Sequence, residues 1–198
     1  MPQQDTHGGH TIDTSGPEIT TERLRLRPWH DADADDARAI FGSDEVARWL
    51  APAMTAVPDT DAMREVLRRW EGEHRDTGRP TGRWAIEDRG TGRVVGAGAV
   101  LPLPPEGEDL EIGWQLAPIA WGQGYAAEAG HALAHYAFDH GEEELFAVVR
   151  PRNTRGVATA RRVGMEWVGE TDKYYDLRLQ VFRLRKGDLD VPSPRAGR

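Results

Sequence analysis

The sequence contains no cysteine among its 198 residues. Disulfides, thiolate metal sites and a cysteine nucleophile are therefore excluded. Long apolar runs are missing as well: none approaches the roughly 20 residues of a membrane-spanning helix, and the N-terminus lacks the apolar core of a signal peptide. These absences predict a cytoplasmic protein that has no membrane partner.

Serine is also scarce, and acidic residues outnumber basic ones by 33 to 25. Only three serines occur, at positions 15, 43 and 193, and none lies in a G-x-S-x-G elbow, which argues against a serine hydrolase. The net charge of −8 disfavours nucleic-acid binding, which depends on a basic surface. It tolerates a cationic substrate, but it is equally typical of soluble proteins.

The two ends of the chain are poor in apolar residues. Residues 1–18 and 190–198 are therefore expected to be flexible tails. The chain between them has no internal repeat, and its length is sufficient to bury one substantial core. We expect a single domain over residues 19–189.

Hydrophobic periodicity within this range predicts a mixed α/β fold. The segment "RLRLRPW" alternates leucine with arginine, as a half-buried strand does, and "DTDAMREVLRRWEGEH" repeats apolar residues with helical spacing. Further on, a hairpin around "RGTG" precedes the strand "DLEIGWQLAP", an alanine-rich helix, a short strand, a helix that ends at Gly164, and two final strands. The predicted order is β-α-α-β-β-β-α-β-α-β-β, an α+β arrangement with a mixed sheet.

The segment "WGQGYAAEAGHAL" joins the strand at 110–116 to the alanine-rich helix. Gly122 and Gly124 let the backbone approach a bulky anion, and the amides that follow them begin a helix without partners. This pattern predicts a phosphate-binding loop; the alternative is an ordinary tight turn. A dinucleotide-binding turn is rejected, because Glu128 stands near the place of its third glycine and the loop follows an antiparallel hairpin.

The order of elements and this loop together resemble the GNAT superfamily of acetyl-CoA-dependent N-acetyltransferases. The stretch "WGQGYAAEA" is similar to the W-G-x-G-Y-x-x-E-A form of its ribosomal-protein N-acetyltransferase (RimJ/RimL-type) branch. In a second block of that branch, N-x-x-S precedes a basic helix and Gly-Phe. Asn153 and Gly164 keep the family's spacing, whereas Gly156 and Met165 replace its serine and phenylalanine. The resemblance covers roughly residues 19 to 189.

The resemblance implies a GNAT-like fold with splayed central strands. It also implies that acetyl-CoA is the cofactor, that no metal is needed and that the acceptor is a primary amine. Whether the protein forms a homodimer is left open. Asn153 is expected to form a hydrogen bond with the pantetheine arm. The alternative role for this residue is an ordinary asparagine turn at the end of a strand. The arginines between positions 150 and 162 include candidates for CoA phosphates, but the sequence does not choose among them. The implied cofactor-binding residues are Leu116, Trp121, Gly122, Gln123, Gly124, Tyr125, Ala126 and Asn153.

Acetyl transfer requires a neutral amine, and an alkylammonium has a pKa near 10. Glu111 lies on the strand that leads to the glycine loop, where the family often has a glutamate, so it is the candidate general base. The alternative, an exposed glutamate paired with arginine, is equally open. A leaving thiolate needs a general acid less than a leaving amine does, and with Gly156 at the family's serine position the sequence leaves open whether Thr154, Thr159 or no residue serves as one.

Two classes of function stay open at this stage. An amine N-acetyltransferase that works through a ternary complex is preferred, and a catalytically silent CoA-binding or interaction module on the same fold is the alternative. The acceptor, a protein N-terminus or a small amine, is undetermined. The spacing of His131 and His135 fits surface histidines better than a metal site. Candidates to line the acceptor pocket are Trp29, Trp49, Trp84, Tyr174 and Tyr175.

Overall fold

A computed structural model describes residues 12–16, 18–50, 53–73 and 79–189. The expected C-terminal tail at 190–198 lies outside the described residues, as do residues 1–11 and 17 of the expected N-terminal tail. The described part of that tail contacts the domain. Ile12 packs against the main core, Asp13 forms a β-bridge with Thr20, and the Thr14 hydroxyl donates to Asp139 at 2.6 Å.

The described chain contains eight strands and five helices. The strands are β1 (Ile19–Thr20), β2 (Leu24–Pro28), β3 (Gly82–Asp88), β4 (Arg93–Pro102), β5 (Leu110–Leu116), β6 (Glu144–Val149), β7 (Glu166–Thr171) and β8 (Leu179–Arg185). The helices are α1 (Ala34–Phe41), α2 (Asp44–Leu50), α3 (Thr60–Glu73), α4 (Tyr125–Asp139) and α5 (Thr154–Val163). The predicted mixed α/β fold is confirmed. The structure adds β1 and α2, which are too short to show a hydrophobic period.

The strands form one sheet in the order β1-β2-β3-β4-β5-β6-β8-β7. Within the described part of the chain, every neighbouring pair is antiparallel except β5 and β6, which α4 connects as a crossover. These two strands pair at a single position, Glu111 with Phe146. Beyond it they diverge, so the expected splay of the central strands is confirmed and the edge of β5 that faces β6 is left open.

The two faces of the sheet carry different layers. One face packs against α4 and α5 through fully buried residues such as Leu26, Ile112 and Leu133. A Cβ on Gly98 of β4 would come within 2.9 Å of Leu133, so the glycine lets α4 lie close to the sheet. The opposite face meets α1 to α3 over β3 and β4, and Trp29 and Trp70 pack together in this second cluster.

Candidate active site

The glycine loop connects a short 3₁₀ turn after β5 to the first residue of α4. Gly122 and Gly124 have φ angles of +79° and +82°, in the left-handed region that favours glycine. A Cβ on Gly122 would meet nothing within 4 Å, so the requirement there is conformational. The amides of residues 123–126 donate to no backbone carbonyl of the described chain. They are therefore available to an anionic ligand at the N-terminus of α4.

The side chains of Arg23, just before β2, and of Asp88, at the end of β3, hold this loop in place. Arg23 donates through Nη1 to the Gln123 carbonyl at 2.9 Å and forms an ion pair with Glu128 at 2.6 Å. The Tyr125 hydroxyl donates to Asp88 Oδ2 at 2.5 Å, and this bond lowers the pKa of the Asp88 carboxyl. Neither partner of the loop was identified from the sequence, because Arg23 and Asp88 lie far from it along the chain.

Trp121 ties the start of the loop to the end of β5. Its indole Nε1 donates to the Leu116 carbonyl at 3.0 Å. The Arg155 guanidinium lies 4.1 Å from the centroid of the Trp121 ring, a cation–π arrangement. The structure thus brings one arginine of the basic cluster, at the first turn of α5, beside the loop.

Glu111 occupies the point where β5 and β6 separate. Its carboxylate accepts a hydrogen bond from the Tyr175 hydroxyl at 2.7 Å and another from the backbone amide of Val148 on β6. Burial raises the pKa of Glu111 to about 7, against the opposing effects of the Tyr175 bond, the Arg83 charge and the Val148 amide. A carboxylate in this setting exchanges its proton near neutral pH.

Tyr175 lies in the loop between β7 and β8. Tyr175 and Asp176 both have positive φ angles, +57° and +53°, which are uncommon for residues with a side chain. The neighbouring Tyr174 hydroxyl donates to Asp109 Oδ2 at 2.8 Å. Two consecutive tyrosines therefore fasten this loop to the beginning of β5, and the second of them contacts Glu111.

A cavity of about 100 Å³ opens between the end of β2, the end of α3 and β3. The Arg83 guanidinium in its wall lies 4.9 Å from the Trp70 ring centroid and electrostatically favours the charged form of Glu111. Of the aromatics expected to line an acceptor pocket, Trp29 lines this cavity, whereas Trp84 is buried in the core on the other face. The lining consists of Pro28, Trp29, His30, Trp70, Glu71 and Arg83.

The described residues contain no group of three or more histidine, aspartate or glutamate side chains arranged to hold a metal ion. The His131 and His135 rings on α4 are 5.8 Å apart. Over the same residues, no helix has both the length and the apolar character needed to cross a membrane. A larger depression of about 460 Å³ beside α2 includes neither the glycine loop nor Glu111.

The family model described as the acetyltransferase (GNAT) domain matches residues 23–166, which is more than half of the chain. The chain belongs to the GNAT acetyltransferase family. The match begins at Arg23 and includes Glu111 and the whole glycine loop. The recognition of this family from its sequence blocks is therefore confirmed.

Relatives of this GNAT acetyltransferase agree with the assignment. The N-acetyltransferase YoaA of Bacillus subtilis, itself uncharacterised, is 28% identical over 169 residues, covering 80% of this chain and 88% of YoaA. An acetyltransferase structure from Agrobacterium tumefaciens is 25% identical with a TM-score of 0.69, covering 93% of this chain and 100% of that chain. A candidate ribosomal-protein-serine acetyltransferase from Vibrio cholerae shares the fold, with a TM-score of 0.69 at 22% identity, covering 85% and 97% of the two chains.

In this acetyltransferase, Asn153 caps the N-terminus of α5. Its Oδ1 accepts from the Gly156 amide at 3.0 Å, which satisfies one of the open amides of the helix. A Cβ on Gly156 would lie 2.8 Å from Asn153 Nδ2 and 2.9 Å from Val149 Cγ1. A Cβ at this position would therefore require Asn153 or Val149 to shift.

Proposed function

We propose that the chain transfers an acetyl group from acetyl-CoA to a primary amine by direct attack within a ternary complex. The observation that carries the proposal is the carboxylate of Glu111, part-buried at the separation of β5 and β6, with a pKa of about 7. Glu111 is the proposed general base. A group with this pKa is matched to proton transfer at neutral pH.

The glycine loop fits the diphosphate of a CoA ester. The open amides of residues 123–126 would hold its oxygens, and Gly122 and Gly124 supply the left-handed conformation that this loop adopts. Arg155 would add positive charge from α5. The Nδ2 amide group of Asn153 would donate to the pantetheine arm of the cofactor. When bound, acetyl-CoA supplies a thioester carbonyl that an amine can attack.

Residues of the chain accept the proton of the amine and orient the group that accepts it. Glu111 accepts the proton that the attacking amine loses, while the Tyr175 hydroxyl and the Val148 amide fix the orientation of its carboxylate. A peptide α-ammonium, with a pKa of about 8, gives up its proton to this base more readily than an alkylammonium with a pKa near 10. This difference favours a peptide or protein N-terminus as the acceptor over a simple alkylamine.

The test begins with a screen of peptide and small-molecule amines with acetyl-CoA, reading released thiol. On one accepted amine, Glu111→Gln should lower kcat/KM roughly 10²-fold at neutral pH while acetyl-CoA affinity is retained. Raising the pH should partly restore the rate, because hydroxide and free amine replace the base. Glu108→Gln, at an exposed glutamate in the loop before β5, is the matched control.

Two results would count against the proposal. Parallel pH–rate profiles for the wild type and Glu111→Gln, with similar rates, would remove Glu111 from the chemistry. A wild-type chain that binds CoA but acetylates no amine in the screen would instead support a catalytically silent CoA-binding module.

A further inference from the structure

The guanidinium of Arg23, one residue before β2, is held in one orientation by the glycine loop and α4. Its Nε donates to Glu128 Oε2 at 2.7 Å, its Nη2 lies 2.6 Å from the same oxygen, and its Nη1 donates to the Gln123 carbonyl at 2.9 Å. The guanidinium carbon lies 4.8 Å from the Tyr125 ring centroid. Arg23 therefore contacts the loop and the first turn of α4 at once.

Glu128 is the residue that aims Arg23. It lies one turn into α4, and its carboxylate also accepts from the Thr21 hydroxyl at 2.6 Å and from the Arg23 backbone amide at 3.0 Å. Burial raises its pKa, but these hydrogen bonds and the Arg23 charge outweigh that effect, so the pKa lies below its ordinary value. Glu128 is thus a charged residue whose carboxylate contacts four donor atoms of two residues, Thr21 and Arg23.

The contact between Arg23 and the Gln123 carbonyl determines the direction of the next amide. In a trans peptide the carbonyl and the following N–H point in opposite directions. Because the Gln123 carbonyl is turned toward Arg23, the Gly124 N–H is turned away from β2. Arg155 of α5 also lies beside the loop, with its guanidinium 4.1 Å from the centroid of the Trp121 ring.

We propose that Arg23, aimed by Glu128, is a positioning residue for the cofactor: it fixes the Gln123–Gly124 peptide so that the Gly124 amide faces the diphosphate. The inference rests on the proposed binding of CoA at this loop. Without Arg23, the Gln123–Gly124 peptide is free to rotate, because a glycine backbone adopts many conformations. The Gly124 amide is then no longer pre-oriented for the anion. The side chain acts through the backbone and does not need to touch the ligand.

Calorimetric titration of CoA and of 3′-dephospho-CoA tests this role. Arg23→Ala should weaken both ligands by the same factor, about 10-fold, because the amide that it orients binds the diphosphate common to the two. With an amine acceptor, the KM for acetyl-CoA should rise while kcat at saturation stays near the wild-type value. Arg25→Ala is the matched control, since Arg25 lies two residues further along the chain, within β2, and pairs with Glu18.

The outcomes separate this inference from the proposed function. Wild-type affinity in folded Arg23→Ala overturns it, and so does a loss confined to CoA, which would make Arg23 a ligand of the 3′-phosphate. If Arg23→Ala does not fold, Glu128→Gln is tested in its place. This variant keeps an acceptor for Thr21 but removes the charge that holds Arg23. The affinity for both ligands should then fall by a smaller factor, about 3-fold. A wild-type chain that binds neither ligand refutes the proposed function itself.

Discussion

Replacing Glu111 by glutamine should make the protein more stable at alkaline pH. Glutamine has the shape of the protonated acid but cannot ionise. In the folded chain the Glu111 carboxyl has a pKa of about 7, above its ordinary value of 4.5, because burial disfavours the charged form. The wild type must therefore ionise a part-buried group as the pH rises, and the variant does not.

The sign of this effect is opposite to that of most carboxylates. Between pH 4.5 and about 7 the unfolded chain has lost its proton while the folded chain still holds it, so the free energy of unfolding falls as the pH rises. Above about pH 7 the folded chain has lost this proton as well, and Glu111 causes no further fall in the free energy of unfolding. At 1.36 kcal/mol for each pKa unit, the stability of the variant relative to the wild type should grow by at most about 3 kcal/mol from pH 4 to pH 8.

Chemical denaturation of both proteins at several pH values measures this difference without an acceptor or cofactor. For a chain of this size, the Tm of the variant relative to that of the wild type should therefore be about 6–12 °C higher at pH 8 than at pH 4. Titrations of other groups cancel in the comparison, and Glu108→Gln should show no such trend. A stability difference that does not change with pH would mean that Glu111 ionises near its ordinary pKa, and its case as the base at neutral pH would fail.

Two further variants test the neighbouring contacts. Gly124→Val should weaken CoA binding by about 10-fold or more in calorimetry, because φ is +82° and the new Cβ would lie 3.4 Å from Arg23 Nη2; unchanged affinity in a folded variant would remove the loop from the site. Tyr175→Phe removes a hydrogen bond to the charged form of Glu111 and should raise its pKa, shifting the acid limb of the pH–rate profile to higher pH. Tyr174→Phe, its control, should leave that limb in place.

The fold was largely predictable because its signals lie in neighbouring residues. Alternation placed Leu24 and Leu26 in a strand, and both are fully buried on one face. Helical spacing placed Met63 and Leu67 on the buried side of α3. The two-residue β1 is too short to show alternation, so only its pairing with β2 reveals it.

In the site, too, local features could be predicted from the sequence and contacts between distant residues could not. The glycine loop could be found from sequence because its conformation is a property of Gly122 and Gly124 themselves. Its partners could not: Arg23 is 100 residues from Gln123, and Tyr175 is 64 residues from Glu111. Only the folded sheet brings these pairs together, and no spacing rule along the chain encodes them.

The distance along β5 favours an extended cofactor over a simple anion. Glu111 and Leu116 are five residues apart, and at a rise of about 3.3 Å per residue the proposed base lies about 17 Å from the end of β5, where Trp121 begins the glycine loop. A free phosphate would occupy the loop and leave Glu111 without a function. A ligand that is anchored at the loop and reacts beside Glu111 must be long, and it must follow the edge of β5 that the divergence from β6 leaves open. A CoA thioester has this form, with a diphosphate at one end of a flexible arm and the reactive carbonyl at the other.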